Sequence, residues 1–453
     1  MARPLLGFLA PIGRRPGVTM RQMHLGVFVL GTGNHIAGWR WPGAFDSFQS
    51  LPVVQEIARI AERGRFDLLF LGDGLAADPT HHPSFTTRLE PITMLAALAA
   101  TTAHIGLGAT ASTTYNEPFT VARAFASLDH LSAGRAAWNA VTSSSPDAAG
   151  NFGRQHPPHG QRYKVAEEFV DVVRGLWDCW EDDAVVVNRS TGQYIDPAKV
   201  HPLDHKGEFF EVRGPLNIGR CPQGRPVILQ AGASDPGLAL AARTADVVFA
   251  VAQDLQEAKA AYANLKARLP GFGRDPGALS ILPGVMPILG GTQAEAKRKL
   301  DTLQGFVTPT NALKMLSTRL GQDMSRFPLD APVPDLPLPD TSHGFARTML
   351  AKARRESMTL RDLYDLTAAA RGHWVLCGTP ETVADTLEQW FTEGAADGFN
   401  ILPAYFPDAF TDFVDQVVPT LQARGLFRRD YEGTTLRGHL GLDRPGRPGS
   451  SSR

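Results

Sequence analysis

The sequence predicts an α/β protein, a TIM (β/α)8 barrel with insertions after helix 4 and after strand 7. Eight short apolar runs separated by amphipathic stretches carry that reading, because buried parallel strands read as nearly continuous apolar segments with helical periodicity between them. Several of the runs finish in small, hydroxyl or acidic residues, as barrel strands do where they open onto the mouth. A length of 453 residues suits one barrel enlarged by insertions.

The runs are HLGVFVL (24–30), DLLFLGD (67–73), HIGLGAT (104–110), RAAWNAV (135–141), PVILQAG (226–232), DVVFAVA (246–252), LSILPGVMPIL (279–289) and FNILPAY (399–405). Between them, 51–64, 90–102, 121–132 and 162–180 place apolar residues at helical spacing. The segment 183–222 is rich in β-branched residues, Gly, Pro and Asn, and predicts a hairpin-like insertion. A second insertion at about 305–372 contains PLDAPVPDLPLPD (328–340), which proline keeps out of helix, followed by a helix-like stretch. The barrel is expected over 23–442. Residues 1–22 read as a disordered extension, with Met20 or Met23 as alternative starts. The polar tail after Asp430 is expected to be partly disordered or wrapped on a neighbouring subunit, with 443–453 disordered.

With 43% hydrophobic and 20% charged residues and a net charge of −1, the chain has an ordinary globular composition and no basic run to attract nucleic acid or an anionic membrane. The apolar patch near the N-terminus is short and broken by proline, which points to a cytoplasmic protein. Cys179, Cys221 and Cys377 lie far apart without CxxC spacing, which argues against a disulfide framework or zinc ribbon.

The richest stretch is GRAAWNAVTSSS (134–145), a strand ending in Asn139, Thr142, Ser143, Ser144 and Ser145. Hydroxyl and amide groups at a strand's C-terminal end suit a polar, phosphate-bearing ligand. Asp73 closes DLLFLGD at the same rim, either touching a ligand ring or capping the following loop. HIGLGATAST (104–113) places Thr110, Ser112 and Thr113 beside it. Its glycines imitate GxGxxA, but they lie inside the strand instead of opening a helix, so they are no dinucleotide fingerprint; GTGNHIAG (31–38) fails the same test.

HGQRY (159–163) sets His159 and Tyr163 four apart on one helical face, suited to clamping a phosphate or ring or simply to capping and packing. QAGAS (230–234) ends a strand with Gly232, Ala233 and Ser234 just before a helix, where backbone N–H groups and a hydroxyl meet an anion; a tight turn chosen for packing is the rival. His81, His82, His156 and His159 lack the spacing of metal sites, and no metal is expected. The loop GNHIAGWRW (33–41) offers His35, Trp39, Arg40 and Trp41 to enclose a substrate or pack at the rim.

Together these segments resemble the two-component, reduced-flavin-dependent monooxygenases typified by nitrilotriacetate monooxygenase, dibenzothiophene-sulfone monooxygenase and the pristinamycin synthase large subunit, within the bacterial-luciferase-like superfamily. The markers are LGD (71–73), STTYNEPF (112–119), WNAVTS (138–143), HGQRY, QAGAS, GTPETVADTLEQWFTEGAADGFN (378–400) and VPTLQARGLFRRDYEGTTLRGHLGL (418–442). The resemblance implies FMN at the mouth. Asp73 and Thr110 would lie near the ring and ribityl chain, Asn139, Thr142 and Ser143 along the cleft, His159 and Tyr163 by the ribityl phosphate, and Gly232, Ala233 and Ser234 at the phosphate. It also implies reduced FMN delivered by a separate NAD(P)H-dependent flavin reductase, and reaction with O2 through a C4a-(hydro)peroxyflavin to oxygenate a small organic substrate. His35, Arg40 and His343 are the candidates nearest that substrate. A homodimer or homotetramer is expected. The alternatives are a deazaflavin-dependent hydride-transfer enzyme, a non-catalytic flavin-binding protein and, more distantly, a metal-dependent barrel hydrolase. The two tryptophans and single arginine of the 33–41 loop favour an aromatic or partly apolar substrate over a highly charged chelator.

Overall fold

The computed structural model describes residues 21–77, 83–337 and 343–447. Eight parallel strands form the ring: β1 (His24–Val29), β2 (Leu68–Leu71), β3 (Gly106–Ser112), β4 (Ala136–Val141), β5 (Val227–Gln230), β6 (Val247–Ala250), β7 (Ser280–Leu289) and β8 (Gly398–Ile401). Each pairs with the next, and β8 pairs with β1 through His24 opposite Gly398, which closes the barrel. The closure is tight. A Cβ on Gly398 would stand 1.9 Å from the His24 carbonyl oxygen, so no larger residue fits that seam. All eight runs read from the sequence form these strands.

Side chains alternate as the strand period requires. Phe28, Leu68, Phe70, Leu229, Val247 and Leu282 form the inner core, and Trp138 faces outward, packing on Phe125, Phe169 and Trp177 beneath the helices. No helix among the described residues is long and apolar enough to cross a membrane.

The first insertion forms two antiparallel hairpins, Val185–Asn188 with Gln193–Ile195 and His205–Lys206 with Glu211–Val212. The second differs from the expected outline. β7 is ten residues long: its first half pairs with β6 and β8, and Val285–Leu289 runs on to pair with a ninth parallel strand, Trp374–Gly378. Helices Pro309–Leu320, His343–Arg355 and Leu360–Ala370 precede that strand around a core of Leu316, Leu320, Met349, Leu350 and Leu363. The insertion is therefore anchored on the barrel's own strand.

The tail also corrects the expectation. Tyr431 to Leu442 folds back under the barrel, where Leu436 is fully buried against Gly106 and Arg437 binds the Asp246 carboxylate. An open barrel end offers apolar surface and strand-end polar groups, and this segment covers both. Arg444 and Arg447 then pair with Asp182 and Glu181. The expected N-terminal extension, apart from Arg21 and Gln22, and the last six residues lie outside the described residues.

Candidate active site

The C-terminal ends of β2, β3 and β4 are joined by side-chain hydrogen bonds. Thr110 Oγ1 donates to the Leu71 carbonyl (2.9 Å) and accepts from Asn139 Nδ2 (2.9 Å), tying β3 to both neighbours inside the mouth. Ser143, held at φ +47°, donates to Ser112 Oγ at 2.7 Å, and Ser112 also accepts the Thr114 and Tyr115 amides. Thr142 is half-buried and its carbonyl accepts from Thr114 Oγ1. Asp73 stands 4.0 Å from Arg88, and burial pushes its carboxyl up against the opposing pull of the Gly74 amide and Arg88.

On β5 the chain turns into helix Asp235–Thr244, whose first turn is capped by Ser234 accepting from the Gly237 amide at 3.3 Å. The Tyr163 hydroxyl reaches this turn from helix His159–Trp177. A Cβ added to Gly232 or Gly237 would come within 3.0 or 2.9 Å of it. Two glycines, a hydroxyl and a helix N-terminus meet at one point, with Ala233 exposed beside them. Such a cradle suits a phosphate, because the Tyr163 and Ser234 hydroxyls and the helix dipole both favour negative charge. His159 lies against the Tyr163 ring, centroids 5.0 Å apart. Arg162, in the same HGQRY motif, holds His156 and the Pro157 carbonyl, which fixes the loop leading into the helix.

The loop after β1 forms the opposite wall. His35 is fully buried, its Nδ1 accepting the Ala37 amide; burial lowers its pKa to about 4 against the opposing influence of Gln304, so the ring is neutral. Arg40 donates to the Phe306 carbonyl and lies over the Phe306 ring, while Trp41 stacks on Tyr405 at 4.9 Å. Arg40 thus binds the loop to the start of the second insertion. His343 begins helix His343–Arg355, but its side chain lies outside the described residues.

Two residues that the sequence does not single out stand on this wall, Arg371 and His373. Arg371 donates to Asn34 Oδ1 at 2.8 Å and lies 5.0 Å over the Phe28 ring. Burial, then Arg319 and Arg88, push its pKa down to about 9. His373 stacks flat on Phe249 (4.7 Å), and burial together with Arg371 and Arg319 holds it neutral. The sequence does carry a signal, since ARGHWVLCG (370–378) is an apolar run bounded by Gly; an insertion extending to about 372 takes in the arginine and glycine and hides it.

The fold and its rim define a closed (β/α)8 barrel with two polar clusters facing each other across the mouth. The luciferase-like monooxygenase family model matches residues 23–397, and the chain belongs to that family. It is 50% identical over 430 residues to N-acetyl-S-(2-succino)cysteine monooxygenase of Bacillus subtilis (strain 168), covering 94% of this chain and 98% of that one. It is 48% identical over 441 residues to nitrilotriacetate monooxygenase component A of Aminobacter aminovorans, covering 94% and 97%. A riboflavin lyase solved with modified FMN and substrate riboflavin superposes with a TM-score of 0.84 at 30% identity, over 93% of this chain and 96% of that one. The chain is an oxidoreductase of the monooxygenase type.

Proposed function

We propose that this chain is the oxygenating component of a two-component monooxygenase, taking reduced FMN from a separate NAD(P)H-dependent flavin reductase and using O2 to oxygenate a small organic acceptor. The observation that carries the reading is the meeting of the Tyr163 hydroxyl with Gly232, Gly237 and the Ser234-capped helix N-terminus, continuous along the strand ends with Thr110 and Asn139. These residues fit FMN. Tyr163, Ser234 and the N-terminus of helix Asp235–Thr244, with Gly232 and Ala233 beside it, would hold its phosphate, and Asn139, Thr142 and Ser143 its ribityl hydroxyls, with Asp73 and Thr110 toward the ring. When bound, the flavin supplies two electrons for splitting O2 between substrate and water.

The protein's task is then to bind, orient and exclude water. Arg40 on Phe306 holds the β1 loop to the start of the second insertion and the Trp41–Tyr405 stack holds it to the segment after β8, with neutral His35 buried beneath, which shields that side of the mouth. The name "component A" of one relative supports a separate reductase; we further place the protein in the cytoplasm as a homodimer or homotetramer. Anaerobic titration tests the reading. Reduced FMN is expected to bind at micromolar concentration and more tightly than oxidised FMN, and a generic reductase with NADH should support oxygen uptake coupled to product. Absence of reduced-FMN binding rejects it.

A further inference from the structure

We infer that the wall of the mouth across from the phosphate cradle is a subsite for a carboxylate of the substrate, centred on the Arg371 guanidinium with Arg319 and Arg88 beside it. The inference rests on the proposed monooxygenase reading and specifies the acceptor as a small organic acid.

Arg371 is 9% exposed, and among the described residues no carboxylate reaches it. Its Nη2 is spent on Asn34, a neutral acceptor, and its buried Nε has no partner. Asn34 is itself locked, its amide donating to the Phe28 carbonyl at 2.8 Å and the Pro403 carbonyl at 3.3 Å, so its oxygen is presented to the arginine. Arg428 binds Asp67, Arg437 binds Asp246, and Arg220 and Arg225 share Asp178; Arg135 and Arg162 lack a carboxylate, but Arg135 spends its Nε and both terminal nitrogens on carbonyls and a hydroxyl, and Arg162 binds His156 and the Pro157 carbonyl. The charges that bear on Arg371 are two further guanidiniums, those of Arg319 and Arg88, the latter 4.0 Å from Asp73. A buried cation among cations is costly unless an anion joins it.

The backbone adds an independent observation. Arg371 caps helix Leu360–Ala370 at φ +54°, a left-handed position that glycine takes freely, although Gly372 is the very next residue. The strain is tolerated where it delivers this side chain to the mouth. A guanidinium's planar fork matches a carboxylate. Phe28, Phe70 and Phe249, packed ring on ring beneath it, offer apolar surface for the remainder of the molecule. The flavin phosphate has its cradle on β5, four strands around the ring from β1, which leaves Arg371 for a second anion. This departs from the sequence-based leaning toward an aromatic or partly apolar substrate over a highly charged chelator.

The test is calorimetric titration of the full chain with tricarballylate and with its trimethyl ester, alongside a separate titration with FMN. Tricarballylate is expected to bind and the ester not. Arg371→Met should weaken tricarballylate binding at least tenfold while FMN affinity stays within twofold. Arg371→Lys, which keeps the charge but loses the fork, should fall between and serves if the methionine variant does not fold. Equal binding of acid and ester, no binding of either, or unchanged tricarballylate affinity in both variants overturns the subsite. Loss of FMN affinity together with tricarballylate affinity in a folded variant also overturns it, by assigning the cation to the cofactor. Failure of the wild-type chain to bind reduced FMN would instead remove the monooxygenase reading, and the acid-against-ester comparison would still decide the subsite.

Discussion

The two ends of the barrel treat buried charge in opposite ways. At the N-terminal end Asp67, fully buried, receives Arg428, His24 and the Leu25 amide. Asp246 receives Arg437, and Asp129 accepts from Gln223 and the Ala136 amide. At the C-terminal end Arg88 lies 4.0 Å from Asp73, but Arg371 has only a neutral acceptor, and the charges that bear on it are Arg319 and Arg88. A sealed end gains from internal pairing, because no ligand will ever complete it. An end that receives ligands keeps its donors for them, and the fold carries the resulting instability.

The sharpest way to break this contrast is to remove one cation from each end. Arg428→Met strands a fully buried Asp67 carboxylate and should cost about 3–5 kcal/mol in urea unfolding. A loss below about 1 kcal/mol would remove the distinction between the ends.

A second measurement uses pH. His35 has its pKa lowered from 6.5 to about 4 in the folded protein, so the unfolded chain takes up the proton first. Stability should therefore fall by about 3 kcal/mol as pH drops from 6.5 through 4 on account of this ring. Asp129, raised to about 6 by burial, contributes with the other sign, because its ionisation as pH rises from 4 through 6 costs the folded state. His35→Asn should make the loss of stability between pH 6.5 and 4 smaller by about that amount, leaving the part due to the neutral, buried His373. An unchanged pH profile in the variant would refute the assignment to His35.

Gly232→Ala sharpens the picture of the cradle. Its Cβ would meet the Tyr163 hydroxyl at 3.0 Å. FMN affinity should drop about tenfold, equivalent to roughly 1.4 kcal/mol, with little change in the unfolding midpoint. A fall in stability without any loss of FMN affinity would make the glycine a packing residue. The smallest effect expected is that of Arg371→Met on stability: within about 1 kcal/mol of wild type, since relief from neighbouring guanidiniums offsets the lost bond to Asn34. A loss as large as that of Arg428→Met would contradict the contrast between the two ends.

The strand-end motifs were legible because each element of the phosphate side is local. QAGAS reads as a strand, a turn and a capped helix within a few residues, and HGQRY places Tyr163 one helical turn from His159. The proximity of those two motifs was implied by barrel closure, since β4 pairs with β5 and the helix after β4 returns beside it. The opposite wall was not legible. Arg371 meets Asn34 across 337 positions, and Arg88 and Arg319 come from separate loops and helices. No periodicity or spacing relates them.

By itself the chain's order of apolar and polar residues determined eight strands, their closure into a ring and which strand ends would be polar, because alternation and turn chemistry act over a few neighbours. Only the tertiary structure decided which end is charge-matched and which is not. It set the ninth strand against the overhang of β7, turned the tail under the barrel and brought Arg371 over Phe28. Coulomb energy depends on distance and burial in three dimensions, and neither is written in the sequence separation of the charges.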